Sequence, residues 1–322
     1  MSEEHEQIDI FGCDGEAPPK RLADVVKRPK SDRNEGDLPD PEQELVVCTS
    51  GGKDSAAMAL WLRFESGLPN PMRFVHNDTG HEHDLTVAYL DTIAEKLGQE
   101  VERTVPTYTF ESLAKHKQRF PSKMARFCTQ ELKVFPMQRW IEAQGFTDPV
   151  LCQGVRADES ARRAAMPVWD DTLGDFGGFY DIWRPILRWS VEEVFAIHDR
   201  HGLEPNPLYR MGAGRVGCWP CIYVRLGELA NAFRRDPDLL PRLEAMEAAV
   251  ARASKRKAAS FFGPEKIPSW AHDKLDPKTG TTYPSIRAVY NYVLQPDQGD
   301  LFAHEGDLAD VPTCMSQYGL CE

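Results

Sequence analysis

Leu45-Val46-Val47-Cys48-Thr49-Ser50-Gly51-Gly52-Lys53-Asp54-Ser55, continued by Ala56-Ala57-Met58-Ala59-Leu60-Trp61-Leu62, decides the fold. The first five residues are apolar or β-branched and read as a buried strand. The stretch after Ser55 reads as a helix. Between them, the glycine pair lets backbone N–H groups approach an oxyanion, and the helix start adds positive partial charge. Lys53 supplies a point charge, and Ser50 and Ser55 supply hydroxyl donors. The bland alternative is a glycine-rich turn that opens a helix. The richer reading is a cradle for the phosphates of a nucleotide.

Outward from this loop, strand and helix patterns alternate. Leu45–Thr49, Met72–His76, Glu100–Val105 and Pro149–Gln153 read as strands. Asp54–Arg63, Leu85–Leu97 and Val134–Gln144 read as helices, with Leu85, Tyr89, Leu90, Ile93 and Leu97 on one face of the second. Such alternation predicts an α/β class: a doubly wound, mainly parallel sheet with helices on both faces. Ligands of such sheets bind at the carboxyl ends of the strands. Residues 1–40 are polar, charged and rich in proline, and read as an irregular N-terminal arm. The division expected is that arm, a nucleotide-binding domain over 41–225, and a helical, loop-rich C-terminal part over 226–322. In the last part Asn231–Lys257 reads as mostly helical, with Leu239, Leu240, Leu243, Met246 and Val250 as core; Ser285–Tyr292 reads as a short helix.

Composition narrows the function classes. The chain has 322 residues, 41% of them apolar, and a net charge of −12. Broad, non-specific nucleic-acid binding is disfavoured by that charge, although a local basic groove is not. There is no run of about 18 apolar residues and no apolar segment at the acidic N-terminus, so a soluble cytoplasmic protein is expected. Eight cysteines in such a chain suggest metal or redox chemistry for a clustered subset rather than structural disulfides. Cys218 and Cys221 form a Cys-x-x-Cys turn suited to an iron–sulfur cluster, zinc or a redox dithiol. Cys13, Cys48 and Cys152 are expected to pack or sit exposed.

Several strand tips carry chemistry-bearing residues. Asp78-Thr79-Gly80 follows the second strand, and Asp78 can accept from ribose hydroxyls or hold a phosphate-bridging metal. His81 and His83 read as polar loop. Gly154-Val155-Arg156-Ala157-Asp158-Glu159-Ser160-Ala161-Arg162-Arg163 follows the fourth strand. Its glycine lets the backbone turn, Arg156 and Arg163 can grip phosphate or sulfate, and Glu159 can fix one of them. Ser190 reads as an N-cap with Glu193 as its capping-box partner.

Taken together these segments resemble a known family. Ser50-Gly51-Gly52-Lys53-Asp54-Ser55 is not a Walker A loop; it resembles the PP-loop of the N-type ATP pyrophosphatases, which cleave ATP between the α and β phosphates. Asp78-Thr79-Gly80 with Thr86, Arg126-Phe127-Cys128-Thr129 with Leu132-Lys133, the Gly154–Arg163 segment, Asn206-Pro207-Leu208-Tyr209, and Gly217-Cys218-Trp219-Pro220-Cys221 are similar to the PAPS reductase family. The matched segments run from about residue 45 to 221.

The resemblance implies an adenine nucleotide α-hydrolase-like fold. It implies a site with Lys53, Asp54, Lys133 and Arg156 in catalysis, and with Ser50, Gly51, Gly52, Ser55, Asp78, Thr79, Gly80, Gly154, Glu159, Ser160 and Arg163 at the nucleotide. It also implies ATP with Mg²⁺ and a [4Fe–4S] cluster, with Zn²⁺ as the alternative, on Cys128, Cys218 and Cys221 with Cys314 or Cys321. Where iron–sulfur relatives carry a Cys-Cys pair, this chain has Cys128-Thr129. Its tail, Tyr318-Gly319-Leu320-Cys321-Glu322, is not the Glu-Cys-Gly-Leu-His of PAPS reductases. The intact PP-loop favours an ATP user that adenylates an acceptor and couples this to sulfur transfer from a donor. A sulfonucleotide reductase is the alternative, and an accessory nucleotide-binding protein of a defence locus is a third. A nucleic-acid acceptor and a homodimer stay open.

Overall fold

The computed structural model describes residues 33–170 and 180–295. In chain order the elements begin β1 (Leu45–Cys48), α1 (Lys53–Phe64), β2 (Met72–Asn77), α2 (Asp84–Leu97), β3 (Val101–Thr104) and α3 (Phe110–His116). A short α4 (Phe127–Thr129) runs through one π-helical turn, Gln130–Val134, into α5 (Phe135–Gln144). Then come β4 (Val150–Cys152), α6 (Ala161–Ala164), β5 (Trp169–Asp170), β6 (Asp181–Trp183), α7 (Val191–His201) and α8 (Pro207–Arg210). The C-terminal part holds α9 (Leu226–Arg235), α10 (Leu239–Ala253), the hairpin β7 (Lys274–Leu275) and β8 (Thr282–Tyr283), and α11 (Ile286–Val293).

The main sheet has the order β3-β2-β1-β4-β6-β5. All its pairs are parallel except β5 with β6. The expected α/β sheet is present, with two strands beyond the four read from sequence: β6 beside β4, and β5 at the edge. Successive residues of β1 serve opposite faces, as strand geometry requires. Leu45 and Val47 join the core under α1, α2 and α7, whereas Val46 and Cys48 join the core under α5. Being covered on both faces, the strand is apolar throughout. Adjacent β1 and β4 lead to opposite wings of the sheet, so the loops that leave them diverge and open a crevice.

A second core is built by α9, α10 and α11. Leu239, Leu240, Leu243, Met246 and Val250 are all buried there, as their spacing predicts. The segment from Asn231 to Lys257 is mostly helical, as expected, with a break between α9 and α10 where Pro237 has no N–H to continue the ladder and disfavours helical Asp236 before it. This core also takes in Phe110, Leu113, Ala114, Phe120 and Leu132, so it reaches across residue 225 into the strand–helix part. Ser285 caps α11 by accepting from the Ala288 N–H, and Ser190 with Glu193 forms the expected capping box on α7. Among the described residues no helix is long and apolar enough to cross a membrane.

Candidate nucleotide site

Gly51 turns the chain out of β1 at φ +84°, in the region that side chains rarely enter. A Cβ there would also stand 2.9 Å from Thr86 Cγ2 on α2. Gly52 caps α1 without a side-chain bond, so the cap residue itself covers none of the first-turn amides. The hydroxyls brace the turn: the Ser50 and Ser55 oxygens lie 2.9 Å apart, and the Gly52 N–H donates to Ser50 Oγ over 3.3 Å. Gly154, just past β4, packs against this helix start. A Cβ on it would lie 2.7 Å from Ser55 Cα, so a backbone-on-backbone approach makes glycine necessary.

The charges of the two loops are joined beneath that turn. Asp54 is fully buried. Its Oδ2 accepts from Lys53 Nζ at 2.6 Å and its Oδ1 from Arg156 Nε at 2.5 Å. Arg156 also reaches the Trp189 carbonyl at 3.4 Å and the exposed Asp158 at 3.7 Å. Glu159 accepts from the Arg156 backbone N–H and pairs with Arg163, and Ser160 Oγ accepts from the Arg163 N–H at 3.2 Å. Glu159 thus holds Arg163, as its spacing suggested. Both oxygens of Asp54 are thus committed to cations. Asp78 is more open: Oδ1 accepts from the Gly80 N–H at 2.9 Å, and Arg103 stands 3.9 Å from Oδ2. It is the carboxylate of this edge that fits a phosphate-bound Mg²⁺.

Lys133 lies buried in the π-helical turn, a distortion often found at functional sites. It comes close enough to the β2 tip to bear on His76. Burial holds His76 below its ordinary imidazole value, the Lys133 ammonium adds to this, and the Glu82 carboxylate opposes it. His76 Nδ1 meets the Thr49 carbonyl at 2.9 Å, tying the tips of β1 and β2 together.

The histidines read as polar loop have other roles. His81 is buried and stacked on Phe110 at 4.2 Å, and Nε2 bonds the Pro220 carbonyl at 3.2 Å. Burial, with Arg242 nearby, pushes its imidazole down to about 3, so it is neutral and structural. His83 caps α2 by accepting from the Leu85 N–H. The Cys-x-x-Cys turn sits against this same segment. Cys218 pairs with Glu82 in a β-bridge, the Trp219 N–H donates to the His81 carbonyl at 2.7 Å, and Cys218 Sγ is 3.8 Å from Thr79 Oγ1.

Cys128, Cys218 and Cys221 are partly exposed. Among the described residues no group of three or more His, Cys, Asp or Glu is arranged to hold a metal ion. The expected cluster set of Cys128, Cys218 and Cys221 is therefore not assembled by these residues alone; Cys314, Cys321 and Cys13 lie outside the described residues. Cys48 and Cys152 pack in the sheet, and burial raises both thiols, that of Cys48 to about 12, so they are inert.

Three residues from the α7–α8 segment grip the loop in ways the sequence reading did not assign. Asn206 Nδ2 donates to the Gly51 carbonyl at 3.1 Å. The Lys53 N–H donates to the Tyr209 hydroxyl at 3.0 Å, with Lys53 Nζ 5.6 Å from that ring. His198 Nε2 lies 2.8 Å from the Lys53 carbonyl. Asn206-Pro207-Leu208-Tyr209 stands out in the sequence only as part of the family resemblance, its local pattern being an N-cap followed by a first-turn proline, and nothing local marks His198.

Residues 44–224 match the family model for the phosphoadenosine phosphosulfate reductase domain. The chain belongs to that family. An uncharacterised 37.8 kDa protein in the gpa 5′ region of Escherichia phage 186 is 34% identical over 326 residues, which cover 86% of this chain and 96% of the relative. An adenosine 5′-phosphosulfate reductase of Allochromatium vinosum is 27% identical over 202 residues, 59% of this chain and 73% of the relative. A crystal structure of phosphoadenylyl-sulfate reductase from Candida auris, a phosphate complex, superposes with a TM-score of 0.43 at 18% identity, over 55% of this chain and 82% of that one. The residues that line the crevice fall inside the matched span.

Proposed function

We propose that the crevice between the β1 and β4 loops binds ATP and that the enzyme cleaves it between the α and β phosphates to adenylate an acceptor. The observation that carries this reading is the complete Ser50–Ser55 loop at the sheet's switch point, with Lys53 and Arg156 anchored on one buried carboxylate. In this reading the first-turn amides of α1, with Ser50 and Ser55, take the β and γ phosphates. Lys53 and Arg156, held in place by Asp54, and Lys133 stabilise charge at the α-phosphate as a nucleophile displaces pyrophosphate. Asp78 is the residue that would hold Mg²⁺, which supplies charge neutralisation between phosphates when bound. Sulfur delivery to the adenylated acceptor falls in this reading to the Cys218–Cys221 turn, whose Cys218 Sγ lies beside Thr79.

The second reading is a sulfonucleotide reductase, supported by the family match and by the adenosine 5′-phosphosulfate reductase relative. The phage relative supports a third setting, an accessory nucleotide-binding protein of a mobile element. One assay separates these. The full chain is purified anaerobically, its iron and zinc are measured, and it is incubated in parallel with ATP plus Mg²⁺ and with APS or PAPS plus a dithiol. Pyrophosphate and AMP from ATP support the first reading, sulfite supports the second, and binding without turnover supports the third. Failure to bind any of these nucleotides overturns the site assignment.

A further inference from the structure

We propose that the ends of α3 and α10 form a binding face for the phosphodiester backbone of a nucleic acid. Two basic runs that the nucleotide site leaves unused, residues 115–119 and 252–257, meet there. Both helices belong to the second core, and the Lys255 N–H donates to Gln118 Oε1 at 3.2 Å, which joins the two runs.

The charge at this junction is not compensated. Lys115 and Lys117 are answered by Glu111 and Glu131, at 3.3 and 2.8 Å, and Arg256 stands 3.8 Å from Asp276. Arg119, Arg252, Lys255 and Lys257 are exposed, and among the described residues no carboxylate pairs with any of them. Arg119 lies over the Phe127 ring at 5.8 Å, and Lys257 Nζ donates to the Arg252 carbonyl at 3.1 Å. Elsewhere on the surface four exposed arginines each go to a glutamate: Arg188 to Glu35, Arg200 to Glu65, Arg210 to Glu204 and Arg287 to Glu244. In a chain whose net charge is −12, a knot of unanswered cations repels itself until an anion arrives.

The backbone is strained at the same place. Among the described residues, the non-glycine positions with positive φ are Gln118, at +58°, and Lys257, at +55°. Glycine would make either turn more readily. The chain instead keeps the amide that braces the junction and one of its cations, and strain of this kind collects at binding sites.

The chemistry of the face selects the partner. Neither run exposes a large apolar side chain, so a lipid surface finds nothing there to bury. A row of cations neutralises phosphates one by one. Arg119 on its ring, and His116 stacked on Tyr108 at 4.8 Å, add flat faces of the kind that bases meet. The face also adjoins the crevice, because Glu131, the partner of Lys117, lies in the π-helical turn that holds Lys133. The proposal does not depend on which nucleotide the crevice takes.

Binding of the full chain to fluorescein-labelled strands of about 20 nucleotides tests it, by anisotropy from about 50 to about 200 mM salt. Single-stranded DNA, duplex DNA and single-stranded RNA are compared. Four phosphate contacts predict that log affinity falls against log salt with a slope of about −3 to −4. Arg119→Glu with Lys255→Glu should weaken binding by about tenfold or more and make the slope shallower by about two. Arg188→Glu with Arg200→Glu changes the net charge equally on another face and should leave both nearly unchanged. Tightest binding by any of the three nucleic acids supports the proposal and names the source of the phosphates. No binding by wild type, or equal loss in the two double variants, overturns it. Equal binding to phosphatidylserine vesicles, or equal competition by polyglutamate, also overturns it and assigns the face to a membrane or an acidic protein. If tryptophan emission shows that the charge reversal unfolds the chain, Arg119→Gln with Lys255→Gln takes its place, with an expected loss of roughly threefold to tenfold and the same shallower slope.

Discussion

Replacing Asp54 with Asn keeps the shape of the side chain and removes the carboxylate that anchors both cations of the loop. The side chain is fully buried, with Lys53 Nζ at 2.6 Å and Arg156 Nε at 2.5 Å. Arg156 is 4% exposed, so its guanidinium would be left beside an amide and a solvent-facing Asp158 3.7 Å away. Removing one partner of a buried ion pair costs roughly 3–5 kcal/mol. Two effects pull the value to the lower end: Lys53 keeps some access to water, and Asn no longer pays the desolvation of a carboxylate. The expected loss is about 3 kcal/mol, a shift of more than a hundredfold in the folding equilibrium. Urea denaturation followed by tryptophan emission reads it, because Trp61 on α1 lies 6.1 Å from Trp183 and 6.2 Å from Trp189 and so reports the seating of that helix. Asp158→Asn is the control; its carboxylate is exposed, and it should change stability by less than about 0.5 kcal/mol. If D54N loses less than about 1 kcal/mol and binds nucleotide as wild type does, Asp54 does not organise the loop and the reasoning fails.

Gly154→Ala puts a Cβ 2.7 Å from Ser55 Cα and should cost about 1–3 kcal/mol, with a fall of about a hundredfold in turnover as α1 shifts; an unchanged melting point and rate would contradict the close approach. Gly51→Ala meets both a positive φ and Thr86 Cγ2 at 2.9 Å. Thr86→Ser, which keeps the hydroxyl but removes that methyl, should recover part of the loss in the double variant, leaving the roughly 1–2 kcal/mol set by backbone conformation. Glu247 is buried, and its carboxyl is raised from 4.5 to about 7 because burial outweighs the N–H bonds from Phe261 and Ile286. The folded state then holds a proton that the unfolded chain releases, so stability should fall as pH rises between these values, by up to roughly 3 kcal/mol. Glu247→Gln should flatten that slope in urea titrations at several pH values; a wild-type stability that rises across the window would refute the assignment.

What was legible from sequence was local. The switch from a period of two to a helical period across Ser50–Ser55 marks strand, turn and helix, and each is present. The capping box at Ser190 and Glu193 and the core spacing of α10 are local too. What escaped depends on distant partners. β5 and β6 have two and three residues, too few for periodicity, and exist because Val150, Leu151 and Cys152 offer β6 a parallel edge. His81 is buried because Phe110 of α3 and the Pro220 carbonyl close over it, and nothing within its own loop announces that. The same holds for the candidate site. The glycines and charges of residues 50–55 could be read, but Tyr209 and His198 reach Lys53 from 156 and 145 residues away.

The charge balance of the crevice bears on which nucleotide it takes. Lys53, Arg156 and Arg163 are the buried or half-buried cations of the β1 and β4 loops, and each is already paired, with Asp54, with Asp54 and Asp158, and with Glu159. The two loops therefore offer directed N–H donors rather than a surplus of positive charge, in a chain whose net charge is −12. A triphosphate brings about four negative charges, since its terminal phosphate holds nearly two and each of the others one. That excess calls for a divalent cation carried in with the ligand. A sulfonucleotide such as APS, with about two, needs less help. Calorimetry with and without EDTA should thus show ATP binding weakened by tenfold or more, about 1.4 kcal/mol, on removal of Mg²⁺, and APS binding nearly unaffected. Equal dependence for both ligands would mean that the cations of the crevice leave their carboxylates when a phosphate arrives, and the paired arrangement would then be a resting state rather than the binding one.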